Sequence, residues 1–144
     1  MYNNWFECKV KGVKISEDGK INKPSIVPFL VDAMTFTEAE AKIVKEVRPY
    51  LTGEIIVEAI TKAKISEIID STAESDDRWY KCKVAFIVTD EKSAKEKLVA
   101  NTLMVKAGDT KSALTNLEIG MKNSLVDYTV VSLTETKILD IFKD

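Results

Sequence analysis

Polar and apolar residues alternate from Asn4 to Ile15, with Phe6, Cys8 and Val10 on one side and Trp5, Glu7, Lys9 and Lys11 on the other. A period of two is that of a strand with one face buried. Ser16 to Asn22 gathers Ser, Asp, Gly and Asn, which predicts a hairpin turn. The run from Ile26 to Phe36 is apolar at both parities and predicts a strand inside a sheet. The spacing then changes to four, placing Ala39, Ile43, Val47 and Leu51 on one helical face. Thr37 with Glu40 reads as a capping box, with Phe36 and Ala41 as its hydrophobic staple. A helix is therefore expected from near Glu38 to near Arg48, where Pro49 and then Gly53 end it. Glu54 to Lys62, rich in Ile and Val, predicts a third strand. In Ala63 to Asp70, Ile65, Ile68 and Ile69 fit a helical turn or a strand; the reading favours a strand continuing past a bend.

The same succession recurs. Trp79-Tyr80-Lys81-Cys82-Lys83-Val84 repeats Trp5-Phe6-Glu7-Cys8-Lys9-Val10 at an offset of 74, and both Trp and both Cys of the chain fall at that offset. Val31 and Ala33 recur as Val105 and Ala107, and the helix positions Ala39, Ile43, Val47 and Leu51 as Ala113, Leu117, Met121 and Leu125. After a one-residue deletion, Val57, Thr61, Lys64, Ile65 and Ile68 recur as Val130, Thr134, Lys137, Ile138 and Ile141. Shared periodicity accounts for the apolar matches, but not for Trp, Cys, Thr and Lys as well. The expected fold is α+β: tandem duplicated β-β-α-β units forming one pseudo-two-fold domain, with helices packed on antiparallel sheet. The first repeat covers residues 1–70, a polar and acidic linker 71–78, and the second repeat 79–144, packed as a single domain. Within the second, strands are expected near 78–89, 98–106 and 128–142, and a helix over 110–123 capped by Asp109 or Thr110.

A chain of 144 residues, 45% hydrophobic and 31% charged, can bury one substantial core or two small ones. Its net charge of −2 lacks the basic excess of a protein that coats nucleic acid. Neither a leader nor an apolar run of bilayer-spanning length is present, so no membrane partner and a cytoplasmic location are expected. Cys8 and Cys82, each among apolar neighbours, read as buried free thiols. The chain has no His, which removes the commonest general base and any Ser-His or Cys-His pair. Its five Gly form no phosphate loop, and two distant Cys cannot make a zinc site. Glu38 with Glu40, and Asp76 with Asp77, read as a helix first turn and a solvated linker. These exclusions point to a protein without catalytic residues, metal or cofactor.

The candidate site lies on the polar side of the two matching strands. Trp5 stands with Lys9 and Lys11, and Trp79 with Lys81 and Lys83. An indole beside ammonium groups suits a base and its phosphates, through stacking and charge. The same residues fit a structural role, with each Trp covering a sheet edge or subunit interface and Lys stems packed over it. Lys64 and Lys137, retained with Thr61 and Thr134, fit either an anion contact or protection of an edge strand.

Trp5-Phe6-Glu7-Cys8-Lys9-Val10-Lys11, the run from Phe29 to Glu40 and Lys62-Ala63-Lys64-Ile65-Ser66 together give the chain a resemblance. It resembles a family of short domain-of-unknown-function proteins carried by Bacteroidales and by their phages, most densely in its first half. The resemblance implies a phage or mobile-element setting and supplies no site residues. In that setting the expected function is non-catalytic binding of a small anionic, nucleotide-type signal in host defence, by a protein expected to be a homo-oligomer. The alternative is a structural or protein-interaction module, such as a virion or assembly component contacting a host or phage protein. A nucleic-acid binder is a third class, against which the acidic balance weighs.

Overall fold

The computed structural model describes residues 4–15 and 23–143. In chain order its elements are β1 (Trp5–Lys14), β2 (Ser25–Asp32), α1 (Phe36–Glu46), β3 (Leu51–Ala63), β4 (Glu67–Ile69), β5 (Arg78–Thr89), β6 (Glu96–Ala107), α2 (Thr110–Gly120), β7 (Tyr128–Glu135) and β8 (Ile141–Phe142). The fold is mixed α+β, with two four-stranded sheets of order β3-β1-β2-β8 and β4-β6-β5-β7. The expected turn at Ser16–Asn22 lies outside the described residues.

The chain divides into two compact units, residues 1–64 with 137–144, and residues 65–136. In the first, antiparallel pairing sets Phe6 opposite Val31, Cys8 opposite Phe29 and Val10 opposite Val27, all buried. The helix α1 adds Ala39, Ile43 and Val47 to the same core. In the second, Tyr80, Cys82 and Val84 of β5 bury with Leu103 and Val105 of β6, and α2 adds Ala113 and Leu117. Each fully buried Val, Leu, Ile or Phe side chain contributes about 1.5–3 kcal/mol by leaving water, so these faces carry the stability of each unit. The alternation read from the sequence is thus the face that meets the helix.

Both helices begin at a side-chain cap. The Thr35 Oγ1 accepts from the Glu38 N–H at 3.1 Å, and Glu38 Oε2 accepts from the Met34 N–H at 3.0 Å. The cap is therefore Thr35, two residues before the expected Thr37, and Glu38 reaches back one residue past it, to Met34. Phe36 lies inside the helix, and its ring meets Phe6 edge-on at 4.9 Å, a packing that requires the chain to turn at Thr35. For the same reason β2 stops at Asp32 and not near Phe36. Asp109 caps α2, accepting from the Ser112 N–H at 2.7 Å; the helix ends at Gly120, three residues before the expected end.

The largest departure from the sequence reading concerns which sheet the short strands join. After Ala63 the chain bends, and β4 pairs in parallel with β6, setting Ile68 against Met104 and Ile69 against Val105. After Glu135 the last strand breaks, and β8 pairs in parallel with β2, setting Ile141 against Leu30 and Phe142 against Val31. The chain thus passes to the second unit after residue 64, where the change was expected at 70, and β8 completes the first sheet. Each short strand supplies backbone partners along an otherwise unpaired edge, a need that periodicity does not reveal. The expected linker is fastened within the second unit: Ser71 Oγ and Asn116 Nδ2 both donate to Asp76 Oδ2, at 2.5 and 3.2 Å. Gly108 admits the neighbouring chain, since a Cβ there would stand 2.3 Å from the Ser75 carbonyl oxygen.

Candidate functional site

On β5, the side away from α2 carries Trp79, Lys81 and Lys83. Antiparallel register places Lys106, Met104 and Thr102 of β6 beside them in that order. On the other flank Thr134 pairs with Lys81, and Ser132 with Lys83. Three ammonium groups and three hydroxyls thus share one sheet face, and none of those six positions carries a carboxylate. Lys81 and Lys83 are exposed, while Lys106 is half-buried with its Nζ 5.8 Å from the centre of the Trp79 ring.

The matching face of the first unit is different. Trp5 pairs with Asp32 and Ala63, Glu7 with Leu30 and Thr61, and Lys9 with Pro28 and Ala59. Lys9 and Lys11 are exposed, but Glu7 and Asp32 stand where the second unit has Lys81 and Lys106. The two Trp rings do not form open platforms: Trp5 is 5% and Trp79 3% exposed, so neither indole offers a face for stacking. The packing role weighed for them in the sequence is the one their burial fits. Lys64 and Lys137 are exposed and stand where the chain passes between units, off the strands that carry the other lysines.

The sulfur chemistry is inert. Burial, with the Glu7 carboxylate adding to it, pushes the Cys8 thiol up to about 12, and burial pushes Cys82 up to about 11. A neutral buried thiol is a poor nucleophile at ordinary pH. Among the described residues no cluster of three or more His, Cys, Asp or Glu could hold a metal ion, and no helix is long and apolar enough to cross a membrane.

The second unit contains a cleft of about 280 Å³ between β4, β6 and the C-terminal end of α2. Phe86, Leu103 and Met121 form its apolar wall; Ser66, Glu67, Asn101, Asn123 and Ser124 form its polar rim. Gly120 also lines it, and a Cβ there would stand 2.6 Å from Ile69 Cδ1, so this glycine lets β4 approach the helix end. Ser66 donates to Asn101 Oδ1 at 2.9 Å, fixing one side of the rim.

A family model described as a domain of unknown function, DUF4494, matches residues 4–144. No curated protein and no solved structure gives a significant match.

Proposed function

The chain belongs to DUF4494, a family of domains of unknown function, and from that premise we propose a non-catalytic binding protein, of phage or mobile-element type, that holds a small anionic molecule of nucleotide type. The observation that carries this reading is the register of the second sheet, which lines Lys81, Lys83 and Lys106 with Thr102, Ser132 and Thr134. Lysines two apart on one strand are separated by about 7 Å, close enough for both to reach one polyphosphate. Hydroxyls on the flanks add neutral donors that fix orientation. Glu7 and Asp32 oppose such a ligand in the first unit, so the site belongs to the second unit alone.

In the same reading the two units are copies of one β-β-α-β repeat. The matched hydrogen bonds support it: Lys42 Nζ donates to the Asp32 carbonyl at 2.7 Å, and Asn116 Nδ2 to the Lys106 carbonyl at 2.9 Å, both pairs related by the offset of 74.

A thermal-shift screen against mono-, di- and cyclic nucleotides at fixed salt tests the ligand. At about 100 times the dissociation constant the stabilisation is roughly 2.7 kcal/mol, a rise of several degrees for a domain of this size. Lys83→Ala is expected to remove the shift and Lys9→Ala to leave it. No shift with any nucleotide favours the interaction module, a reading supported by Leu98 and Val131, which lie 64% and 56% exposed on β6 and β7.

A further inference from the structure

In the first unit the place of the cleft is filled. Tyr50 donates its N–H to the Val47 carbonyl just past α1, and Ser124 donates its own to the Met121 carbonyl just past α2, both at 2.9 Å. The two residues thus occupy the same station at a helix end. The Tyr50 ring packs against Phe29 and Phe142 at 5.9 and 6.0 Å, and its hydroxyl donates to the Asp140 carboxylate. In the second unit Leu103, Ile69 and Glu67 stand at the stations of Phe29, Phe142 and Asp140, as the paired registers show. Replacing a tyrosine by Ser124 removes both the filling ring and the donor that satisfied the carboxylate.

What remains is a cleft with a definite chemical preference. The exposed Glu67 carboxylate and the Asn123 side chain make no hydrogen bond or ion pair among the described residues, and the cleft has no Lys or Arg in its lining. Gly120 and Met121 bring the C-terminal end of α2 to the same wall, adding the partial negative charge of the last carbonyls. Phe86 offers an aromatic ring beside the apolar Leu103 and Met121. A carboxylate, a helix C-terminus and an aromatic ring all favour a cation, and the apolar wall favours a short hydrocarbon stem. The volume is near the lower limit of small-molecule pockets and suits one extended side chain or a ligand of similar size.

We propose that this cleft is a binding site for an alkylammonium or alkylguanidinium group, seated with its head at Glu67 and its stem on Phe86, Leu103 and Met121. It is distinct from the basic sheet face and selects the opposite charge. The cation belongs either to a free small amine or to a lysine or arginine side chain of a peptide.

The test is a two-dimensional NMR titration of the full chain with butylammonium, butylguanidinium and the isosteric anion butyrate. Saturable shifts at Ser66, Asn101, Gly120 and Asn123 with the cations, absent with butyrate, are expected. Glu67→Gln, which keeps the shape, is expected to weaken binding about tenfold or more. Ser124→Tyr, which restores the first unit's residue, is expected to abolish it; Glu67→Gln keeps the test decisive if that variant does not fold. Tighter binding of Nα-acetyl-lysine amide, its side-chain ammonium free, than of butylammonium assigns the cation to a peptide, and the reverse assigns it to a free amine. Equal shifts with butyrate, no saturable shift with either cation, or full affinity in Glu67→Gln overturns the proposal.

Discussion

At one corner of the first unit Phe29, Tyr50 and Phe142 close over Asp140; at the same station of the second, Leu103, Ser124 and Ile69 leave Glu67 beside a cleft. One hydrogen bond follows both helix ends alike, from the Tyr50 N–H to the Val47 carbonyl and from the Ser124 N–H to the Met121 carbonyl. The helix-facing cores are alike as well: Cys8 and Cys82, Ala39 and Ala113, and Ile43 and Leu117 are all fully buried. The two units therefore differ in how they fill a corner, while the surface that holds each helix to its sheet is kept. That shared surface holds each helix, and the corner at its margin, to which buried Phe29 and Leu103 also belong, is where the two units differ in volume.

The largest test of this division is a truncation at the corner itself. Phe29 is fully buried, and Phe29→Ala is expected to cost about 3–5 kcal/mol, through lost transfer energy plus a cavity. Leu103, also buried but beside an existing cleft, is expected to cost less as Leu103→Ala, about 2–3 kcal/mol, because less new void is created. Urea unfolding of both variants measures the difference. Equal losses would show that the cleft is no looser than the closed corner.

Next in size is the conversion of one corner into the other. Tyr50→Ser removes the ring and the hydroxyl that donates to Asp140, and is expected to cost about 3 kcal/mol, most of it from packing. Tyr50→Phe removes only the hydrogen bond and is expected to cost about 1 kcal/mol. If Tyr50→Phe costs as much as Tyr50→Ser, the corner is held by the bond to Asp140 and not by its rings. Midpoints of chemical denaturation separate the two.

How far these features were readable follows from what each depends on. The helix-facing strands were legible because a period of two survives in Phe6, Cys8 and Val10 and again in Tyr80, Cys82 and Val84. The first cap was misplaced because Thr35 and Thr37 each have a Glu three residues on, and only the packing of Phe36 on Phe6 chooses between them. The parallel strands β4 and β8 were legible as strands, but not as members of particular sheets, since alternation fixes a face and not a partner. The side on which the Trp residues lie was legible from alternation, and their burial fits the packing role that the sequence left open beside stacking. The cleft could have been found: at the offset of 74, Tyr50 falls on Ser124, an exchange of a large ring for a hydroxymethyl group.

A smaller effect is expected at the helix starts, which compare one cap with the other. Thr35→Ala removes the acceptor for the Glu38 N–H and is expected to cost about 1 kcal/mol. Asp109→Asn keeps an acceptor for the Ser112 N–H but removes the charge near the α2 terminus. Hydrogen bonds from Ser112 hold the Asp109 carboxyl below its usual range, so its contribution is present above the unfolded value and is lost as pH falls. Asp109→Asn is therefore expected to flatten the acid limb of stability while Thr35→Ala lowers stability at every pH. Denaturation midpoints measured from neutral pH downward distinguish the two.

The smallest effect appears near pH 9. Cys8 is held up to about 12 and Cys82 to about 11 in the folded chain, against 9.0 for an unperturbed thiol, both chiefly by burial. Tyr50 is held up to about 12, first by burial and then by its hydrogen bond to Asp140. In each case the unfolded chain gives up its proton first, so stability present below the unfolded value declines as pH rises through it and on to the folded value. At pH 9 only the thiols have begun to titrate in the unfolded state, and each is expected to cost about a few tenths of a kcal/mol. Cys8→Ala and Cys82→Ala, though less stable overall, are each expected to reduce the slope of stability against pH near 9 by a similar amount. Above pH 10 the first unit has a further source of decline, because the second has Ser124 in place of Tyr50, and Tyr50→Phe removes it. An alkaline slope unchanged by Tyr50→Phe would mean that the closed corner does not shield its phenol, and the contrast between the two units would then rest on volume alone.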